Sequence, residues 1–452
     1  MPLDDPVRRG SHERPGALAV RAGERELSYS ELDEAADRCA RRLASAGVLA
    51  GDRVATTLPP GLDFAALLHA TPRLGAALVP LSPRPGVPER ERMLEIARAR
   101  LVVDEPLTGP EAMLTSSAGL DDEAVHTVLF TSGSTGAPKP VALTYRNHAA
   151  SARASAANLG VEPDDRWLCA LPVHHVGGLA ILLRSALNGT AAIIHERFDP
   201  AAVRGSLESG EATLVSLVAT QLQRVVDAGL QIAPRLRAAL LGGGPVPGEL
   251  LGWAAERGLP LLQTYGLTET SSQIATLSAV EALEPDRRGS AGRALAGVEL
   301  RTAPEDGEIL VRGPMVARGA LADDGWLHTG DRGRLDADGY LWVEGRLDDV
   351  IVTGGENVAA AEVEEALLAH PAVAEAAVIG LPDPVWGRAV TAYLVVDPEA
   401  ATPADYELLA HCRERLSAFK VPKAIHRLPA LPRTESGKVA RSRLQAAGEA
   451  VG

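Results

Sequence analysis

The sequence predicts an α/β protein: a large N-terminal domain of layered α/β subdomains with a small antiparallel β region, followed by a small α+β C-terminal domain. Two observations carry this expectation. Short apolar runs such as RVATTLP, AALVPL, HTVLFT and AAIIHE alternate with helix-length amphipathic stretches, the pattern of layered α/β folds. A chain of 452 residues also exceeds what one hydrophobic core usually holds, so more than one domain is expected.

Taken in order, LSYSELDEAADRCARRLASAGV reads as an amphipathic helix. Ser30 and Asp33 form its capping box, Leu32, Ala36, Cys39 and Leu43 share one face, and Gly47 ends it. The apolar runs that follow read as strands between helices. From about residue 300 to 345 the texture changes to short strands and Gly/Asp turns (EDGEILVRGP, DADGYLWVEG), the small antiparallel region. Beyond it, AAAEVEEALLAHP reads as a helix, AEAAVIGL and AVTAYLVV as strands, and Thr402-Pro403-Ala404-Asp405 as the start of a second helix. The expected domains are therefore residues 1–347 and 349–452.

Composition excludes several classes. With 46% apolar and 23% charged residues the chain is an ordinary globular protein, not a disordered one. Its longest apolar runs fall short of the ~20 residues that cross a bilayer, and the N-terminal stretch lacks the apolar core of a signal peptide. A cytoplasmic protein without membrane or nucleic-acid partners is expected, since the net charge of −14 carries no basic tract to offset it. Cys39, Cys169 and Cys412 lie far apart and read as core fillers rather than a disulfide or zinc framework. Lysine is scarce: only Lys139, Lys420, Lys423 and Lys438 occur among 45 basic residues. Where a lysine persists against that bias, a compact point charge on a flexible stem is a candidate for chemistry.

The strongest local signal is TVLFTSGSTGAPKP, residues 127 to 140. A strand-like run enters a loop of glycines and hydroxyl residues followed by Lys139, which can turn backbone N–H groups and a cation toward phosphate oxygens. It is not the Gly-x-x-x-x-Gly-Lys-Ser/Thr loop of common nucleotide hydrolases.

Together with LLGGGPVP, QTYGLTET, GWLHTGD, GRLDDVIVTGGEN and RTESGKVAR, this segment resembles, in order and spacing, the motif set of the AMP-forming acyl-adenylate and acyl-CoA synthetase superfamily. The resemblance spans nearly the whole chain. It implies an enzyme, an AMP-forming acid–thiol ligase that uses ATP and Mg²⁺ with CoA as co-substrate. It further implies that Thr131, Ser132, Gly133, Ser134, Thr135, Gly136 and Lys139 grip the β- and γ-phosphates. Gly242, Gly243 and Gly244 would lie against adenine and Tyr265 on its other face. Thr268 would touch the α-phosphate, Glu269 would hold Mg²⁺, and Asp331 would accept the ribose hydroxyls with Arg346 nearby. Lys438 would supply charge during adenylation. The C-terminal domain is then expected to be mobile about a hinge at Asp348, with Gly354 and Gly355 lining the channel for the CoA thiol arm. Pro140 departs from the glycine common there and removes a backbone donor.

The acid pocket falls on LPVHHVGGLAILLRSAL, residues 171 to 187, which carries no acidic residue and so argues against an amino-acid substrate. His175 matches a histidine that family members place near the substrate carboxylate, and His174 stands where an aromatic is more usual. Gly178, Arg184, Gly266 and Ser271 complete the expected acid site. Within the superfamily this segment, the QTYGLTETSSQIATL run and VALTYRNH are most similar to CoA ligases of an aromatic dicarboxylate. Arg184, on the predicted helix with Leu179, Leu182, Leu183 and Leu187, would hold its second carboxylate. The competing readings are another aryl- or acyl-CoA ligase, an enzyme loading a carrier protein, and a silent nucleotide-binding protein. A homodimer is compatible with all of them.

Overall fold

A computed structural model describes residues 4–83, 87–113, 120–132, 138–347, 350–353, 356–383, 385–398, 400–434 and 439–449. The chain forms two compact units. The first comprises Met1–Leu300, Val311–Leu327 and Ala337–Leu341, the second Arg301–Leu310, His328–Asp336 and Trp342–Gly452.

The first unit is built on two sheets. In the nine-stranded one, six neighbouring strands run parallel: Leu261–Leu267, Ala238–Leu241, Leu214–Leu217, Arg166–Cys169, Ala191–Ile194 and Leu18–Ala22. Antiparallel strands Ser272–Thr276, Arg293–Ala294 and Arg25–Ser28 finish its edges. Both faces are covered: Trp167 and Cys169 pack into one apolar layer, Leu168 and Ala170 into the other. A continuous apolar strand such as this is stable only between two layers, which is why parallel sheets are buried. The second sheet orders Leu101–Val103, Arg53–Thr56, Ala77–Pro80 and Val125–Ser132 in parallel and ends on the antiparallel edge strand Pro138–Thr144.

The second unit contains most of a four-stranded sheet, Glu299–Thr302, Glu308–Arg312, Leu327–Leu335 and Leu341–Arg346, its strands neighbouring in chain order. The short pair Val350–Thr353 and Glu356–Ala359 follows. Then comes the sheet Val373–Asp383, Gly387–Val396 and Ala424–Arg427, packed with helices Ala360–Leu368 and Asp405–Arg413. Alternate residues again serve opposite faces, Val378 and Ala392 on one side, Ala377 and Tyr393 on the other. No helix among the described residues is long and apolar enough to cross a membrane.

Two helix starts differ from the sequence expectation. The first amphipathic helix runs Tyr29–Ser45 and is capped by Ser28 with Glu31, not by Ser30 with Asp33. Asp33 is needed elsewhere: the nearly buried Arg73 guanidinium binds it at 2.5 Å, with Asp5 and Asp37 at 2.8 and 2.5 Å. The later helix begins at Asp405 rather than Thr402, because the Glu407 carboxylate accepts the Ala404 N–H and fixes the first turn there. Cys169 and Cys412 are buried as expected, whereas Cys39 is only half-buried; all three are free thiols.

Three histidines, His69, His126 and His148, are buried in the first unit. Burial holds them neutral, pushing His69 down to about 3 and His126 to about 4, and His148 well below its ordinary value with His126 and Arg184 adding to the effect. Their folded pKa values lie below the unfolded one, so the unfolded chain takes up more protons in this range. Stability is therefore complete above about pH 6.5 and is lost as the pH falls toward the folded values. At about 1.4 kcal/mol per pH unit, each histidine costs up to about 2 kcal/mol at pH 5. Scanning calorimetry at pH 7.5 and 5 should show a marked fall in Tm, shallower in His126→Gln. An unchanged slope in that variant would contradict the assignment.

Candidate active site

Strand Val125–Ser132 turns back into Pro138–Thr144, pairing Thr131 with Lys139 and Phe130 with Pro140. The phosphate-loop candidate is thus the connection of a β-hairpin, with Lys139 exposed at its base and the Thr131 hydroxyl 3.5 Å from the Lys139 carbonyl oxygen. Pro140 lies on the edge strand, where a missing N–H is tolerated. Gly133, Ser134, Thr135 and Gly136 lie outside the described residues, as does the side chain of Ser132.

Gly242, Gly243 and Gly244 follow strand Ala238–Leu241. Gly243 has φ +81°, and a Cβ on Gly242 would stand 3.0 Å from the Thr264 methyl, so neither position readily carries a side chain. Tyr265 and Gly266 end the neighbouring strand Leu261–Leu267. A Cβ at Gly266 would lie 1.7 Å from the Ser272 carbonyl oxygen, closer than any rearranged side chain could relieve. Between them Thr268–Thr270 form one 3₁₀ turn, after which Ser271 and Ser272 take φ of +54° and +100°. Two consecutive non-glycine residues in this region store strain that the surroundings must hold.

The surroundings do so through hydrogen bonds. The Thr270 hydroxyl accepts the Leu267 N–H and sits 2.9 Å from the Ser272 carbonyl oxygen. Ser271 Oγ donates to Met315 O at 3.0 Å, and the Ala317 N–H donates to Glu269 O at 2.7 Å. Asn147 Nδ2 reaches Pro314 O and Val316 O, fastening the same segment to helix Tyr145–Leu159. One turn along that helix, Ser151 Oγ donates to Ser271 O at 2.9 Å.

Ser151 also receives Arg184 Nη2 at 3.2 Å. Arg184 comes from helix Val176–Asn188, which His175 caps at its N-terminus and Gly178 lets approach Pro172 O, where a Cβ would clash at 2.4 Å. His174 and His175 lie ring to ring, centroids 4.5 Å apart. Arg184 is 3% exposed, and its guanidinium carbon sits 5.6 Å from the Trp167 ring centroid. No carboxylate pairs with it among the described residues, and burial alone pushes its pKa down to about 10. A cation so desolvated is a receptor for an anion.

Glu269 is half-buried, its main chain is fixed by Ala317, and its side chain forms no ion pair among the described residues. One free carboxylate suits Mg²⁺, which takes few protein ligands and completes its shell with phosphate and water. No cluster of three or more metal-ligating side chains occurs among the described residues.

In the second unit, Asp331 is buried and accepts Arg346 Nη1 at 3.1 Å, while the same nitrogen reaches Thr329 O at 3.2 Å. Asp348, Gly354, Gly355 and Lys438 lie outside the described residues. Asn147, Ser151 and Glu308, the last of which holds the turn before Asp331, escaped sequence reasoning. Only Asn147 left a trace, as the fourth residue of a Thr-x-x-Asn capping box.

A glycine-lined backbone, a strained turn carrying threonine and glutamate, and a carboxylate steadied by arginine are the parts a nucleotide-dependent ligase needs. The family model described as AMP-binding enzyme matches residues 7–321 and that of the AMP-binding enzyme C-terminal domain residues 362–438. The chain belongs to the AMP-binding enzyme family. It is 41% identical to the 2-succinylbenzoate–CoA ligase of Geobacillus kaustophilus, over 95% of both chains. It is 38% identical to that of Bacillus licheniformis, over 95% of this chain and 97% of the relative. Among solved structures it is similar to the o-succinylbenzoate CoA synthetase of Bacillus subtilis in complex with the acyl-adenylate OSB-AMP. There the TM-score is 0.91 at 35% identity, with 98% of each chain covered.

Gly266→Ala should leave the protein folded but displace the turn bearing Thr268 and Glu269. A shift of about 1 Å in a positioned group costs about 10²-fold in rate, to be read as kcat/KM for pyrophosphate release. Activity within a few fold of wild type would show that the close contact with Ser272 does not set the turn.

Proposed function

We propose that the chain is an ATP-dependent acid–CoA ligase that converts o-succinylbenzoate into o-succinylbenzoyl-CoA for menaquinone biosynthesis, acting in the cytoplasm. The acid's carboxylate attacks the α-phosphorus of MgATP, an acyl-adenylate forms and pyrophosphate leaves. The CoA thiolate then attacks the acyl carbon and AMP leaves. Family membership and the relatives named above support this chemistry.

The observation that carries the choice of acid is Arg184. The substrate has two carboxylates, of which the one on the succinyl chain reacts and the ring carboxylate must be held without reacting. A buried guanidinium without a carboxylate partner among the described residues supplies what a second anion needs. Tyr265 and the three glycines would enclose adenine, Thr268 and Glu269 would attend the α-phosphate and Mg²⁺, and Asp331 with Arg346 would take the ribose. His175, with His174 beside it, would face the reacting carboxylate, and Gly178, Gly266 and Ser271 would shape the pocket. Thr131 and Lys139 would meet the outer phosphates together with Ser132, Gly133, Ser134, Thr135 and Gly136. Gly354 and Gly355 would line the CoA channel, with a hinge at Asp348 between domains 1–347 and 349–452.

The test is pyrophosphate release across aromatic, fatty and amino acids, with and without CoA, for wild type and Arg184→Leu. Wild type should prefer o-succinylbenzoate and yield its CoA thioester. Arg184→Leu should lose roughly 2 to 4 kcal/mol in kcat/KM on the dicarboxylate and far less on analogues lacking the ring carboxylate. Without ligand the variant should melt no lower than wild type, because it removes an uncompensated buried charge. Equal losses on both substrates would remove Arg184 from the acid site.

Lys438→Ala separates the two steps. Loss of a transition-state charge contact is worth roughly 3 to 5 kcal/mol, several decades at about 1.4 kcal/mol each. Adenylate formation should fall accordingly while thioester formation from supplied acyl-adenylate persists. A parallel fall in both half-reactions would take Lys438 out of the adenylation step.

A further inference from the structure

Strand Leu327–Leu335 contains an irregularity at its functional end. Gly330 has φ +69°, and a Cβ there would stand 2.9 Å from Arg346 Nη2, so the chain makes a left-handed step in mid-strand immediately before Asp331. Such a step turns the residue's N–H away from a regular ladder, and a buried N–H must find another acceptor. It finds the carboxylate of Glu308, from the adjacent strand Glu308–Arg312: Oε1 accepts the Gly330 N–H at 2.8 Å, and Oε2 lies 2.8 Å from His328 Nδ1. The Glu308 side chain is 12% exposed, whereas that of His328 is 46% exposed. The acid has therefore given up most of its water for these two partners. The other side of the step is closed by Thr329, whose hydroxyl donates to Ile309 O at 2.8 Å and accepts the Asp331 N–H at 3.0 Å, and by Arg346 on Thr329 O and Asp331 Oδ1.

We infer that Glu308 is a positioning residue for nucleotide binding: by holding Gly330 and His328 it fixes the left-handed step that aims the Asp331 carboxylate at the ribose hydroxyls. The inference rests on the proposed ribose role of Asp331, and it is independent of which acid the enzyme activates. Glu308 would act through Gly330 and His328, the groups its carboxylate holds, rather than on the nucleotide itself. Removing its carboxylate leaves the Gly330 N–H without an acceptor and frees the turn, so the cost in binding appears only where a ligand uses Asp331. Glutamine retains an oxygen for Gly330 and presents an amide to His328, which can change tautomer to receive it.

The experiment is calorimetric binding of ATP and of 2′,3′-dideoxy-ATP to the full chain carrying Glu308→Ala or Glu308→Gln, alongside wild type and Asp331→Ala. Glu308→Leu, similar in bulk but without an acceptor, takes the place of the alanine variant if that does not fold. The expected result is a loss of about tenfold in ATP affinity for the alanine or leucine variant. Dideoxy-ATP should bind it as it binds wild type, the glutamine variant should be restored to within a few fold, and the loss should vanish in the Asp331→Ala background. Equal losses for both nucleotides would make Glu308 merely structural and overturn the inference, as would undiminished ATP binding. If wild type itself binds the two nucleotides equally, the ribose role of Asp331 falls and the inference falls with it. Failure of the inference alone is recognised by a wild type that discriminates between the nucleotides and a Glu308 variant that still does so in full.

Discussion

The carbonyl oxygen of Ser272 occupies the space that a side chain on residue 266 would need, and only with glycine there can the chain close into the turn that carries Thr268, Glu269 and Ser271. The strand Leu261–Leu267 must reverse onto Ser272–Thr276 within a few residues. Backbone closing so tightly forces positive φ on two serines, a conformation worth about 1 to 3 kcal/mol of strain per residue. Local and distant hydrogen bonds share the task of holding it. The hydrogen bonds of Thr270, Asn147 and Ser151 and the segment from Pro314 to Ala317 together over-determine the turn. The catalytic candidates are thus carried by backbone under tension rather than by a relaxed loop.

The same polar thread reaches Arg184. Ser151 stands between Arg184 and the Ser271 carbonyl, so a guanidinium stripped of water is tied by two hydrogen bonds to the strained turn. Keeping such a group buried lowers the stability of the empty protein, and the compensation lies in the large apolar layers on both faces of the nine-stranded sheet. Neutral His148 nearby avoids adding a second charge to the same interior.

Features encoded by neighbours in the chain were legible without coordinates. Apolar runs such as AALVPL and AAIIHE marked strands, found at Ala77–Pro80 and Ala191–Ile194, and the glycine and hydroxyl runs marked turns, because both depend on backbone periodicity and φ alone. The start of the first amphipathic helix was misplaced for a concrete reason. SYSELD contains two overlapping hydroxyl-and-acid pairs, and the choice between them is made by Arg73, some forty residues further on, which claims Asp33. Arg184 could be set on a helix from its leucine spacing. Its burial could not be read, since that depends on Ser151 and Trp167 approaching from other elements. Glu308 and Ser151 left no sequence signal for the same reason: each acts across a gap between strands or helices that only folding closes.

Two prolines on the outermost strand of the five-stranded sheet have a consequence beyond the nucleotide. Pro138 and Pro140 occupy alternate positions of an edge, and proline is accommodated on an edge when its missing N–H would have faced outward. An incoming strand from another molecule would seek donors on that side and find two of them absent. The edge is therefore a poor template for strand addition, so a sheet border exposed at Lys139 and Pro140 resists aggregation.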